Sequence, residues 1–257
     1  MKLHIFNPEH DIALAANQER FTAPHAGRRL RTDLGFIPAF WASEGDMVLV
    51  DDVEAAIEAR RHLSKFGKDV VFVTYADLKA FAFEDVESFQ VDPWGWDRTI
   101  KEQLLRANSN LQSFMPSDDT LAAIREMSSR RFAAEHLLPL LREAGEEKTI
   151  GEAHYCTTME KVKLTMAQNV KSVLKSPWSS SGRGVRYVET AAPDAHLEGW
   201  AANVVKRQGG IMVEPLYNKV YDFGLEFFSN ADGTIDFKGI SLFATRGGAY
   251  LGNILAT

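Results

Sequence analysis

The sequence predicts an α/β domain followed by an α+β domain, and three observations carry that reading. Short apolar runs alternate with helix-patterned stretches over the first third of the chain. That alternation stops near Met115. After Gly145, strand-like runs pair through short turns and are separated by single helices.

In the first part, residues 2–6 (KLHIF) read as a buried strand and residues 7–11 (NPEHD) as the turn after it. A helix is predicted from about Pro24 (HAGRRLRTDLG), a strand over 46–50 (DMVLV) and a helix over 53–67, with Gly67 as its stop. Residues 68–75 (KDVVFVTY) make a third strand. Strands alternating with helices in this way imply a parallel, three-layer unit. Residues 91–110 read as a turn with two tryptophans and then a helix. Ser117 or Asp118 caps a helix over 118–129. Residues 130–145 form an amphipathic helix interrupted at Pro139. The expected domains are 1–115 and 116–257.

In the second part, residues 153–156 (AHYC) read as a strand and 158–169 as a helix. SVLKS and GVRYVE form a hairpin joined by PWSSSGR. A helix follows over 194–209, then a strand over 210–215 (GIMVEP). Residues 221–244 form a second hairpin, with NADG as its turn.

Composition excludes several classes. The 257 residues are 45% hydrophobic and 25% charged, with a formal charge of -6, so a nucleic-acid partner is not expected. The single cysteine, Cys156, allows no internal disulfide and reads as a small buried residue rather than a nucleophile. No apolar run approaches the ~20 residues of a membrane span. The amino terminus lacks a signal-peptide pattern. A cytoplasmic location is expected. The histidines show no zinc spacing, and no G-x-S-x-G element is present.

The chemistry concentrates in SVLKSPWSSSGRGV. Ser179, Ser180, Ser181, Gly182 and Gly184 give a small-residue loop whose N–H groups can close over phosphates. Lys175, on the strand before it, would meet an α- or β-phosphate, and Arg183 either reaches a phosphate or is a solvated loop charge. The order is not that of a Walker A motif, where the lysine follows the loop and opens a helix. The plain alternatives are an edge-strand lysine and a long hairpin turn.

With IMVEPLYNKVYDFGLEFF downstream, this stretch resembles the ATP-grasp superfamily from about Pro116 onward. The resemblance implies an α+β ATP-grasp-like domain behind a Rossmann-like pre-grasp domain. Its implied nucleotide contacts are the adenine hinge at Glu214, Pro215 and Leu216, and the ribose at Asp222. Arg131, or Arg130 beside it, would hold the α/β-phosphates in place of the usual lysine, and Arg246 would touch the γ-phosphate or an acylphosphate. The implied cofactors are ATP and Mg²⁺, and the implied reaction joins a small-molecule carboxylate to an amine or another nucleophile. Asp236 and Asn253 are poor substitutes for the family's metal ligands. The metal ligands are therefore expected outside this chain, and the chain is read as an incomplete member of the family. A non-catalytic nucleotide-binding module and a small-molecule kinase are the alternatives, and a homo-oligomer is left open. Asn7, Glu9, His10 and Asp11 sit where a strand's carboxyl end meets ligands in such sheets, though a capped turn is the preferred reading. For Arg28, Arg29 and Arg31 a solvated helix face is preferred over an anion site. The DPWGWD turn is read as packing.

Overall fold

A computed structural model of the chain describes all residues except 63, 64, 66, 83–87, 146–149, 181, 191, 231, 247, 248 and 257, and omits the side chains of 62, 246, 249, 255 and 256. The chain divides into two compact units, Met1–Ser129 and Arg130–Thr257.

The first unit is built on a parallel sheet in the order β3-β2-β1-β4. Its strands are β1 (Lys2–Ile5), β2 (Met47–Leu49), β3 (Val71–Val73) and β4 (Gln90–Pro93). Its helices are α1 (His10–Ala16), α2 (His25–Leu34), α3 (Val53–His62), α4 (Tyr75–Ala80), α5 (Arg98–Ala107) and α6 (Asp118–Met127). Strand alternation divides the core between the two faces of the sheet. Leu3, Ile5, Met47, Leu49 and Val91 meet Leu78, Ile100 and Leu104 of α4 and α5. Val48, Val50 and Phe72 meet Phe36, Ala39 and Ala56 on the opposite side.

β4 and α4 were not read from the sequence. The expected tryptophan turn begins one strand later than its residue types suggest. Gln90–Pro93 pairs with β1 at the sheet edge, where the missing N–H of Pro93 is tolerated. α4 is short, but Thr74 and Asp77 form a reciprocal capping box around its first turn. The helix after Met115 belongs to the first unit. Ser117 caps it by accepting the Thr120 N–H at 3.1 Å. Lys101 Nζ donates to Asp118 at 2.7 Å, and Arg125 Nε to the Leu14 carbonyl at 2.8 Å.

At the start of the sheet, His4 is buried between two carboxylates. Its Nε2 lies 3.1 Å from Asp46 Oδ2 and its Nδ1 2.9 Å from Asp92 Oδ2. The Asp92 carboxylate raises the His4 pKa above 6.5, against the penalty of burial, and Asp46 adds to the rise. His4 in turn lowers Asp92. Burial pushes Asp46 up, but the N–H groups of Lys2 and Ser43, with His4, bring it net below its ordinary value. A raised histidine stabilises fully below its unfolded pKa, about 6.5, and loses that contribution as pH climbs through the folded value. The depressed carboxylates act above about pH 4 and lose theirs on acidification. The urea midpoint of the first unit is therefore expected to fall between about pH 6 and pH 9. His4→Gln should flatten that slope; an unchanged slope would show that His4 does not carry it.

The second unit holds two antiparallel sheets. One has the order β5-β8-β6-β7, from β5 (His154–Cys156), β6 (Ser172–Lys175), β7 (Val185–Val188) and β8 (Ile211–Pro215). Helices α9 (Met159–Ala167) and α10 (Ala195–Gln208) pack on one face, burying Cys156, Val162, Met166, Leu174, Val204 and Val213. Burial also raises the Cys156 thiol, in keeping with a structural side chain. The other sheet has the order β11-β10-β9, from β9 (Asp222–Ser229), β10 (Ile235–Arg246) and β11 (Ala249–Ala256). Along one of its faces Phe223, Leu225, Phe227, Phe237, Leu242 and Ile254 are all exposed.

The expected helix over 130–145 is present but not uniform. α7 (Arg130–Phe132) passes through a π-helical turn, Ala133–Leu137, into α8 (Leu138–Glu143). Pro139 cannot donate within the helix, and the register widens immediately before it. β11 was not anticipated, because Gly252 and Asn253 interrupt its apolar pattern.

Candidate functional site

The antiparallel pairing of β6 with β8 places Val173 opposite Glu214 and Lys175 opposite Met212. These residues share the face that points away from α9 and α10, whose core takes Leu174 and Val213 instead. On this face Lys175 Nζ reaches Glu214 Oε2 at 2.5 Å. The expected phosphate lysine and the expected adenine-hinge acid are thus brought together as an ion pair. Both side chains keep some exposure, 29% and 21%, so an incoming ligand can reach them. β5 adds Tyr155 to the same face, opposite Met212.

The loop between β6 and β7 is built rather than loose. The Ser176 N–H donates to the Gly184 carbonyl at 2.8 Å and closes its base. Gly182 has φ +72°, the left-handed region that suits glycine. A side chain at Gly184 would sit 2.2 Å from Ser179 Oγ. Trp178 is buried, and its N–H donates to Gln208 Oε1 at 3.1 Å. Ser180 and Arg183 at the tip are exposed. Ser181 lies outside the described residues.

The two candidate arginines separate. Arg130 reaches the loop: Nη1 donates to the Ser176 carbonyl at 2.6 Å and to Ser179 Oγ at 2.8 Å, and Nη2 to the Ser179 carbonyl at 2.9 Å. Arg131, expected at the phosphates, instead donates to Glu135 at 2.7 Å and lies 5.0 Å above the Tyr155 ring. Neighbouring helical residues point about 100° apart, so one of the pair alone can face the loop.

Pro215 and Leu216 are half-buried past the end of the Glu214 strand, and the Leu216 N–H donates to the Lys171 carbonyl at 3.0 Å. Asp222 opens β9 and accepts from Lys219 Nζ at 2.6 Å and from Thr245 Oγ1 at 2.9 Å. Lys219 is the main reason its pKa lies below the ordinary value. Arg246 ends β10 opposite Ala249, and its side chain lies outside the described residues. Asp236 pairs with Lys238 at 3.0 Å. Among the described residues no group of three His, Cys, Asp or Glu side chains gathers to hold a metal ion. Ser176 and Gln208, which fix the loop, were missed in the sequence. The serine precedes a proline and the glutamine ends a helix 30 residues after Trp178, and neither carries a local signal.

In the first unit, the turn after β1 is a hydrogen-bonded cluster. Asn7 exchanges hydrogen bonds with the Gly95 backbone at 2.8 and 3.2 Å. Asp97 caps α5 through the Ile100 N–H at 2.9 Å and meets His10 Nδ1 at 2.9 Å. Arg31 pairs with Glu9 at 3.0 Å and donates to Gln103, which also accepts from Tyr75. Burial pushes the Tyr75 hydroxyl up to about 12, so it stays a donor. Arg31 therefore belongs to an internal network. Arg29 pairs with Asp33 on the exposed face of α2.

No family model matches the chain. No curated protein matches it either. Among solved structures it is similar to N5-carboxyaminoimidazole synthetase from Staphylococcus aureus in complex with ADP, with a TM-score of 0.51 at 10% identity, covering 98% of this chain and 57% of that one. It is similar to a biotin carboxylase complex from Campylobacter jejuni, with a TM-score of 0.51 at 15% identity, covering 97% and 53%. The biotin carboxylase domain of the Hydrogenobacter thermophilus 2-oxoglutarate carboxylase, solved with MgADP, ADP and bicarbonate, gives a TM-score of 0.52 at 14% identity, covering 96% and 51%. The chain spans about half the length of these structures. A parallel-sheet unit followed by antiparallel sheets, with this likeness along nearly the whole chain, gives it the fold of these enzymes.

Proposed function

We propose that the chain binds ATP and forms the nucleotide-binding part of an ATP-grasp ligase. One observation carries the reading: a strand lysine, Lys175, is paired to a second-strand acid, Glu214, beside a hairpin loop of small residues held at its base. In this reading Lys175 exchanges Glu214 for a phosphate oxygen. Ser179 to Gly184 cover the β/γ-phosphates, with Arg183 at the exposed tip. Glu214, Pro215 and Leu216 line the adenine edge, Asp222 takes the ribose hydroxyls, and Arg246 meets the γ-phosphate. No three His, Cys, Asp or Glu side chains gather among the described residues, and in this reading the ligands for Mg²⁺ lie outside this chain. In the whole protein a substrate carboxylate oxygen attacks the γ-phosphorus and ADP leaves. An amine or similar nucleophile then attacks the acylphosphate carbon and phosphate leaves. The chain's own part in this is to position and neutralise the triphosphate.

Thermal unfolding with and without ATP tests the binding claim. A ligand held only by the folded state stabilises it by about 2.7 kcal/mol at a hundred times its Kd. The unfolding midpoint of the second unit is expected to rise in the wild type and to stay put in Lys175→Ala. A folded wild type that gives no rise at millimolar ATP would overturn the proposal.

A further inference from the structure

Arg130 presents its donors to the loop rather than to open space. Its backbone N–H meets the Pro177 carbonyl at 3.0 Å, and its guanidinium spans the Ser176 carbonyl, Ser179 Oγ and the Ser179 carbonyl. In a trans peptide the carbonyl and the following N–H point in opposite directions. The Pro177–Trp178 unit shows the consequence. Its carbonyl accepts from Arg130, and the Trp178 N–H on the other side donates to Gln208. By the same geometry, Arg130 holding the Ser179 carbonyl turns the Ser180 N–H away from itself, at the exposed tip.

We infer that Arg130 is a positioning residue that sets the peptide planes of the loop so that the Ser180 N–H at its tip faces an anion, and that it does not itself ligate phosphate. The inference rests on the phosphate-loop reading. It assigns the arginine a task that a lysine cannot perform. A planar guanidinium bridges acceptors several ångströms apart, whereas an ammonium is a single point of charge. Charge delivered to a phosphate would survive the change to lysine, and a clamp would not.

The test uses the full chain as wild type, Arg130→Lys and Arg130→Ala. Two readouts are needed: amide hydrogen exchange of residues 176–184 without ligand, and titration with ATP and with adenosine. Both variants are expected to speed exchange at Ser176 and Trp178, whose N–H groups are hydrogen-bonded, by about tenfold or more and to weaken ATP by a similar factor. Adenosine binding should stay within about twofold of the wild type, since adenosine carries no phosphate. ATP affinity retained in Arg130→Lys, or unchanged exchange in Arg130→Ala, would overturn the inference. Ser179→Ala removes one acceptor and should move both readouts the same way by a smaller factor, which covers the case that Arg130→Ala does not fold. Failure of the underlying reading shows separately, as a wild type that binds adenosine and ATP alike or neither.

Discussion

Asp97→Ala is expected to remove about 2–4 kcal/mol from the first unit, read as a lower urea midpoint of its transition. Asp97 is almost fully buried and does three things at once. It caps α5 through the Ile100 N–H, holds His10 Nδ1 at 2.9 Å, and lies 3.4 Å from Asn7 Nδ2. Loss of an N-cap costs roughly 1 kcal/mol. Leaving a buried partner without its hydrogen bond costs about 1–3 kcal/mol more. Asn7 keeps the Gly95 carbonyl as a second acceptor, which limits the total. Asp97→Asn retains the capping oxygen and should recover about half of the loss. Equal midpoints for Asp97→Ala and wild type would show that this cluster does not hold the turn after β1 in place.

Gly184→Ala is expected to destabilise the second unit by about 1–3 kcal/mol and to weaken ATP by at least about tenfold. The new methyl carbon would lie 2.2 Å from Ser179 Oγ, 2.4 Å from Ser179 Cβ and 3.0 Å from Ser176 Cβ. Ser179 cannot yield freely, because Arg130 holds both its hydroxyl and its carbonyl. The methyl must therefore push the loop off the arginine. Gly182 makes a different demand. Its φ of +72° is a backbone requirement, so Gly182→Asn, which tolerates that region, should cost far less than Gly184→Ala. Unfolding curves of the two variants decide this. A Gly184→Ala protein as stable as the wild type, with undiminished ATP binding, would show that close packing against Ser179 is not required.

Most elements were legible because their signals are local. The Ser117 cap, the Pro139 irregularity and the β6–β7 hairpin depend on residues within a few positions of one another. The strands missed were those that long-range pairing creates. β4 contains an acid and a proline, and is a strand because β1 offers it a parallel edge. β11 is interrupted by Gly252 and Asn253, and is a strand because it pairs with β10 from Ile240 to Arg246. The expected boundary at Met115 followed a change in texture. The contacts of Lys101 with Pro116 and Asp118, and of Arg125 with Leu14, tie the next helix to the first unit instead.

The candidate site divides along the same line. The sequence by itself determined that a lysine, a serine–glycine loop and two later acids occur in an order that resembles ATP-grasp proteins, since order and residue type are all that such a motif requires. Only the tertiary structure decided that Lys175 meets Glu214, 39 positions away, because strand register sets which side chains share a face. Only the tertiary structure decided, too, that Arg130 and not Arg131 holds the loop. One step along a helix turns a side chain by about 100°, and nothing in two consecutive arginines says which way the helix will be laid.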